Sequence, residues 1–161
     1  MVRERKTEIR IRRARVSDAA SISSVMYESF VEYKSLYTDE AFHETCPPRK
    51  QVLERMKEGP LWVASLDNRI VGTVSVVGSV EGLRVRGMAI LPEARGRGIG
   101  WLLLEEIQIF AAKKGYRRML LGTTPFLLRA INLYRNFGFR RCSQKLIEYY
   151  GTKIFVMEKN I

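Results

Sequence analysis

The stretch GMAILPEARGRGIGWLLLEEIQIFAAKKG, residues 87–115, decides the fold. It opens on an apolar run, Met88-Ala89-Ile90-Leu91, that stops at Pro92. Gly96, Gly98 and Gly100 then alternate with Arg95, Arg97 and Ile99, and an amphipathic segment runs on to Gly115. A glycine inside a helix costs about 1 kcal/mol relative to alanine, so three at a helix entrance need a reason. A strand ending in a glycine-rich turn before a helix presents N–H groups that have no intrahelical partner. The positive end of the helix macrodipole lies behind them. Glycines let an anion approach those amides closely, and Arg95 and Arg97 set fixed positive charge beside them.

The spacing discriminates among phosphate-binding patterns. A P-loop requires a Lys-Ser or Lys-Thr after its last glycine, and none follows here. The dinucleotide fingerprint G-x-G-x-x-G fails from Gly96, where the last position is Trp101, and from Gly98, where it is Leu103. No acidic residue ends the next strand either. The pattern R-x-x-G-x-G is met by Arg95, Gly98 and Gly100.

Upstream, residues 8–14 alternate apolar and charged side chains and predict a strand. Asp18 is placed to cap a helix carrying Ile22, Val25, Met26, Phe30 and Val31 at helical spacing. Residues 36–48 are mixed, Pro47-Pro48 break any helix, and RKQVLERMKEG predicts a short helix that ends at Gly59. Two strands flanking Asp67-Asn68 predict a hairpin, and EGLRVRGMAIL a further strand. After the glycine-loop helix come a strand, RRMLLGTT, and a helix opened by Pro125 and closed by Gly138. Two strands, FRRCSQKLIEYYG and TKIFVMEKN, close the chain. The expected order is β-α-α-β-β-β-α-β-α-β-β: a mixed α/β (α+β) domain with a largely antiparallel twisted sheet flanked by helices. No linker divides it, so residues 1–161 read as a single domain.

Composition narrows the function. With 161 residues and 46% hydrophobic content, the chain can bury one sizeable core. No apolar run approaches the roughly 18 residues of a membrane span. The basic N-terminus has no apolar core, as a secretory signal would, and Glu4 and Glu8 fit a transit peptide poorly. Two distant cysteines, Cys46 and Cys142, and a lone His43 leave no metal site and no Ser-His or Cys-His catalysis. Together these features point to the cytoplasm. The net charge of +11 calls for a polyanionic partner or simply a basic surface.

The segment ILPEARGRGIG resembles the acetyl-CoA loop of the GNAT superfamily of N-acetyltransferases. A second block, AINLYRNFGF, is similar to that family's later helix and following strand, with Ala130, Leu133, Tyr134, Gly138 and Phe139 in register. The resemblance implies that the amides of Arg95, Gly96, Arg97, Gly98, Ile99 and Gly100 bind the pyrophosphate of acetyl-CoA. It implies that the preceding strand splays from its neighbour, and that the backbone of Met88, Ala89 and Ile90 pairs with the pantetheine arm. Gly87 fits such a close approach. It implies direct attack of an amine on the thioester, with Tyr134 as general acid toward the leaving sulfur. Basic surroundings would lower the tyrosine pKa from about 10 toward the thiol's value of about 8.5.

The chain also departs from familiar members. Arg84 and Gly122 stand where two subgroups carry a glutamate base, and Leu127 where many members carry an asparagine. Asn132 lies about 200° around the helix from Tyr134 and is no replacement. Glu81, Glu28 or Glu32, acting through water, would be the base, or there is none. An aromatic, partly acidic acceptor wall is expected from Tyr27, Phe30, Tyr33, Tyr37, Tyr149 and Tyr150, which suits a cationic amine. The acceptor would be a small-molecule amine, with a protein or peptide amine as the alternative. A catalytically weak CoA-binding module and a nucleic-acid-binding module, the latter motivated by Arg10, Arg12, Arg13 and Arg15, are the readings from other classes; no nucleic-acid signature is present. No metal is implied. Trp101 would face either the core or the partner in a homodimer.

Overall fold

The computed structural model describes residues 8–161; residues 1–7, and with them the reading of the basic N-terminus, lie outside the described residues. The alternating Ile9–Arg13 segment forms β1, paired antiparallel with β2 (Leu61–Leu66). Between them lie α1 (Ala19–Phe30), α2 (Asp39–Thr45) and α3 (Arg49–Glu58). The hairpin of β2 and β3 (Arg69–Ser79) turns at Asp67 and Asn68, both with positive φ, as a tight two-residue turn requires. Next come β4 (Gly82–Ile90), α4 (Ile99–Lys113), β5 (Arg118–Thr123) and α5 (Leu128–Phe137). The strands β6 (Arg140–Arg141), β7 (Ile147–Tyr149) and β8 (Thr152–Asn160) complete the chain.

The sheet runs β1-β2-β3-β4-β5-β8-β6, with β7 on β8. Among the described residues only β4 and β5 are parallel neighbours; every other pair is antiparallel. Every residue of β3 from Val71 to Val76 is buried, so helices cover both faces of the sheet. α1 packs with α3 against the centre of the sheet, and α4 crosses it from β1 to β5. The apolar face of α4, including Leu103, Leu104 and Ile107, is wholly buried. Among the described residues no helix is long and apolar enough to cross a membrane.

Several expectations need correction. The mixed segment 36–48 contains α2, capped by Thr38, whose hydroxyl accepts from Ala41 N–H at 3.2 Å. Val31 lies in a 3₁₀ turn beyond α1. α5 begins at Leu128 because Pro125 sits in a turn closed by Leu127 N–H donating to the Thr124 carbonyl. The penultimate strand is split into β6 and β7. Arg141 Nε and Nη2 donate to the carbonyls of Ser143 and Gln144, at 2.8 and 3.0 Å, and bend the chain there.

Asp18 does not cap α1. Its carboxylate accepts from Arg15 N–H at 2.7 Å and from both Arg12 guanidinium nitrogens, at 2.7 and 3.0 Å, which ties β1 to the turn ahead of α1. Arg12 holds the Asp18 carboxyl below its ordinary pKa. Its stabilisation is therefore present above the unfolded value of about 3.9 and is lost as pH falls through the lower folded value. Asp18→Asn is expected to cost about 1–3 kcal/mol in urea unfolding at pH 7. The gap to wild type should narrow as the pH is brought below 3.9.

Candidate active site

β4 and β5 pair only at Leu83–Met119 and Arg84–Leu120 and then part. β4 remains joined to β3 as far as Ile90, and β5 to β8 as far as Thr123. From Val85 onward the edge of β4 that faces away from β3 therefore has no partner strand among the described residues. The gap is a cleft of about 710 Å³, and Met88, Ala89 and Ile90 line it.

A bulge sits on this edge. Thr73 faces Ala89 while Ser75 faces Arg86, so Gly87 and Met88 together oppose Val74. Gly87 has φ +65°, a left-handed conformation that glycine takes without strain. The extra residue reverses the alternation of side chains. Arg86 reaches Glu58 at the end of α3, with Nη1 2.8 Å from the carboxylate. Two residues on, Met88 and Ile90 lie against Gly100 of α4 on the other face.

The three loop glycines answer different needs. Gly96 and Gly98 have φ of +78° and +79°, and a Cβ at either would meet nothing within 4 Å. The backbone conformation requires glycine there, and the space in front is open. Gly100 is buried, and a Cβ on it would lie 2.6 Å from Leu133 Cδ2 and 3.1 Å from Ile90 and Met88, so glycine lets α4 close on α5 and β4. The amide of Leu102 donates to Gly98 O at 3.1 Å as α4 begins. The amides of Ile99, Gly100 and Trp101 thus have no intrahelical acceptor, and these residues line the cleft.

Arg95 lines the cleft and ties the loop to the end of α1: Nη1 lies 2.6 Å from Glu32 and Nη2 donates to Ser29 O at 3.0 Å. Arg97 is exposed and is not part of the cleft lining. Trp101 packs edge-on against Phe137, with ring centroids 4.8 Å apart, and donates to Glu105 at 2.9 Å.

The chain matches the model of the acetyltransferase (GNAT) family over residues 23–139, well over half its length. The chain belongs to the GNAT family. Among its relatives, human N-acetyltransferase 8B is 28% identical over 56% of this chain and 42% of its own length. Human N-acetylaspartate synthetase is 31% identical over 65% of this chain and 35% of its own. The chain thus spans less than half the length of these curated relatives. The PaiA N-acetyltransferase of Thermoplasma acidophilum, solved in complex with coenzyme A, superposes with a TM-score of 0.78 at 21% identity, covering 96% of this chain and 99% of that one. The ribosomal-protein-S18-alanine N-acetyltransferase of Escherichia coli gives 0.76 at 15% identity, covering 96% and 94%. The expected mixed, largely antiparallel GNAT fold is borne out.

In this GNAT chain Tyr134 points from α5 into the cleft and is only 8% exposed. Its hydroxyl lies 4.0 Å from Met88 Sδ. Burial pushes the phenol up to about 12, against the expected lowering by basic surroundings. None of Glu81, Glu28 and Glu32 lines the cleft; Glu81 pairs with Arg84 at 2.8 Å and Glu32 with Arg95. The one carboxylate that does, among the described residues, is Glu44 on α2. It was missed with the helix that carries it. Phe30, Tyr33, Tyr37 and Tyr149, of the expected acceptor wall, line the cleft, whereas Tyr27 and Tyr150 do not. Arg55 and Arg86 line the same cleft beside Glu44.

Proposed function

We propose that this chain is an N-acetyltransferase that moves the acetyl group of acetyl-CoA to the primary amine of a small molecule. The observation that carries this reading is the parting of β4 from β5 beside an open, glycine-lined helix entrance. A strand edge without a partner accepts an extended ligand by main-chain hydrogen bonds. That role falls to Met88, Ala89 and Ile90. The amides from Arg95 to Gly100 receive the pyrophosphate, with the α4 dipole behind them. Arg95 serves by fixing the loop, through Glu32 and Ser29, rather than by touching the anion. Arg97 contributes long-range charge from the surface.

Acetyl-CoA supplies an activated acyl carbon. The neutral amine attacks it, a C–N bond forms, the C–S bond breaks, and Tyr134 gives its proton to the departing sulfur. The raised phenol pKa suits the task when the sulfur shares its burial. Cys46 shows the effect in this same molecule, its thiol pushed up by burial to about 12. A sulfur buried beside the phenol is raised in the same direction, which lowers the cost of passing the proton. Glu44 takes the proton that the amine loses, through water.

The names of the relatives include both an aspartate acetylator and a ribosomal-protein acetylator, so the choice of a small acceptor rests on the cleft. One end of it is lined by the aromatic rings of Phe30, Tyr33, Tyr37 and Tyr149, with Tyr37 held edge-on by Phe126 at 5.0 Å, a wall suited to a small amine. The reading includes a cytoplasmic setting, where acetyl-CoA is made and Cys46 and Cys142 stay as free thiols. A panel of free amines and of peptides with free amino termini or lysines tests it through thiol release from acetyl-CoA. Free amines should show at least tenfold higher kcat/KM. Equal or better turnover of peptides would reassign the acceptor, and release independent of every amine would overturn the transferase reading.

A further inference from the structure

The acceptor end of the cleft holds an unusual cation. Arg55 on α3 is 8% exposed. Its Nη2 donates to the backbone carbonyl of Glu44 at 2.7 Å, and no carboxylate lies within ion-pair distance of it among the described residues. Its guanidinium sits beside the bulge, with Nη1 3.7 Å from where a Cβ on Gly87 would lie. Burial lowers the Arg55 pKa, the like charge of neighbouring Arg86 lowers it further, and Tyr149, Glu44 and Glu58 offset this only in part. Arg86 is itself only partly satisfied. Nη1 pairs with Glu58, but Nε and Nη2 are buried without a hydrogen-bond partner among the described residues.

An unpaired buried charge is costly, and so is each orphaned donor. A cleft wall built only for stability would pair or replace both. Of the charged residues lining the cleft, Arg55, Arg84, Arg86, Arg95 and Arg129 are cationic and Glu44 alone is anionic. Arg84, Arg86 and Arg95 are paired with Glu81, Glu58 and Glu32, and Arg129 is exposed to solvent. The buried positive charge without an ion pair among the described residues is therefore Arg55, and with the two orphaned donors of Arg86 it lies upstream of the bulge, away from the α4 entrance assigned to the pyrophosphate.

We propose that Arg55 and Arg86 form a carboxylate-binding subsite, and that the acceptor is a small α-amino acid or a close derivative with a free carboxylate. This rests on the transferase reading above. Guanidinium forks match the planar, two-oxygen geometry of a carboxylate. The side chain of Arg86 is 31% exposed, so it can turn toward an arriving anion without moving β4. Glu44 lies alongside, its carbonyl held by Arg55, and offers the opposite charge to the acceptor's ammonium. One carboxylate beside two guanidiniums is the complement of a zwitterion. The subsite is near the proposed chemistry: only Gly87 separates Arg86 from Met88, whose Sδ lies 4.0 Å from the Tyr134 hydroxyl.

The test pairs each of a set of L-amino acids with its primary amide, and adds phosphoethanolamine as an amine bearing a phosphate. Two readouts are taken: thiol release from acetyl-CoA, and the thermal upshift that each compound gives in the presence of CoA. The acids should exceed their amides at least tenfold in kcat/KM, and they alone should raise Tm. Arg86→Gln and Arg55→Gln should cut kcat/KM for the acids at least tenfold, mostly through KM. They should erase the difference between acid and amide and leave the upshift given by CoA alone unchanged. Arg86→Lys, which keeps charge and volume, should retain part of the discrimination if Gln disturbs the fold. Amides or polyamines turned over as well as acids would overturn the subsite while leaving the transferase reading standing. Preference for phosphoethanolamine would overturn the carboxylate assignment. Loss of the CoA upshift in the wild type, with no turnover of any amine, would instead sink the parent reading.

Discussion

Tyr134→Phe is expected to lower kcat by about 10²–10⁴-fold, the range for loss of a positioned general acid. The KM for acetyl-CoA should stay within about twofold, because the hydroxyl and not the ring is removed. The fold should tolerate the change. The hydroxyl lies 4.0 Å from a methionine sulfur, too far for a strong hydrogen bond, so unfolding free energy should shift by no more than about 1 kcal/mol at pH 8. The pH profile separates an acid from a packing residue. Burial raises the phenol from about 10 in the unfolded chain to about 12 in the folded one. Between those values the native state keeps a proton that the unfolded state has lost. The phenol's contribution to stability is thus whole below pH 10 and is lost as pH rises through 12. Urea unfolding at increasing alkalinity should show the phenylalanine variant gaining on the wild type across that window. A kcat within threefold of wild type would remove Tyr134 from the reaction.

The second large effect belongs to Gly98→Val. A β-branched residue at a φ of +79° is strained, and its side chain projects into the open space ahead of α4. The substitution should weaken acetyl-CoA binding at least 100-fold by titration calorimetry, through lost approach to the amides and bulk where the pyrophosphate is assigned. Strain alone must be controlled for, and the chain supplies the control. Gly115, at the far end of α4, has φ +82° and likewise nothing within 4 Å of an added Cβ. Gly115→Val should cost similar stability, about 1–2 kcal/mol, and leave cofactor affinity intact. Equal affinity in the two variants would mean that the helix entrance does not hold the cofactor.

The parts of the molecule set by local pattern were legible in the sequence. Glycine spacing and apolar periodicity marked the β4–loop–α4 unit, the hairpin turn at Asp67-Asn68 and the end of α5 at Gly138. Legibility failed where tertiary contacts choose among local options. α2 is two turns long, with only Ala41 and Phe42 buried, so its periodicity is faint although Thr38 and two acidic residues signal its start. The break between β6 and β7 depends on where one arginine side chain folds back. Side-chain destinations were the least visible. Arg95 in the motif is tied to Glu32, 63 residues away, and Arg55, which looks like one polar residue of a solvated helix, is buried beside Arg86. Neither follows from spacing, since both depend on which charges the fold brings together.

The single inserted residue at Gly87 has a consequence for how such a chain can change. Because the bulge reverses the strand's alternation, Arg86 and Met88 answer to different neighbours although they are two positions apart. Substitutions upstream of Gly87 remodel the wall on the α3 side, where Arg86 meets Glu58. Substitutions downstream are constrained by α4 and the loop that opens it. One strand therefore carries two independently variable modules with a hinge of glycine between them. Deleting that one residue would fuse them, aiming each side chain on one flank at the other's partners.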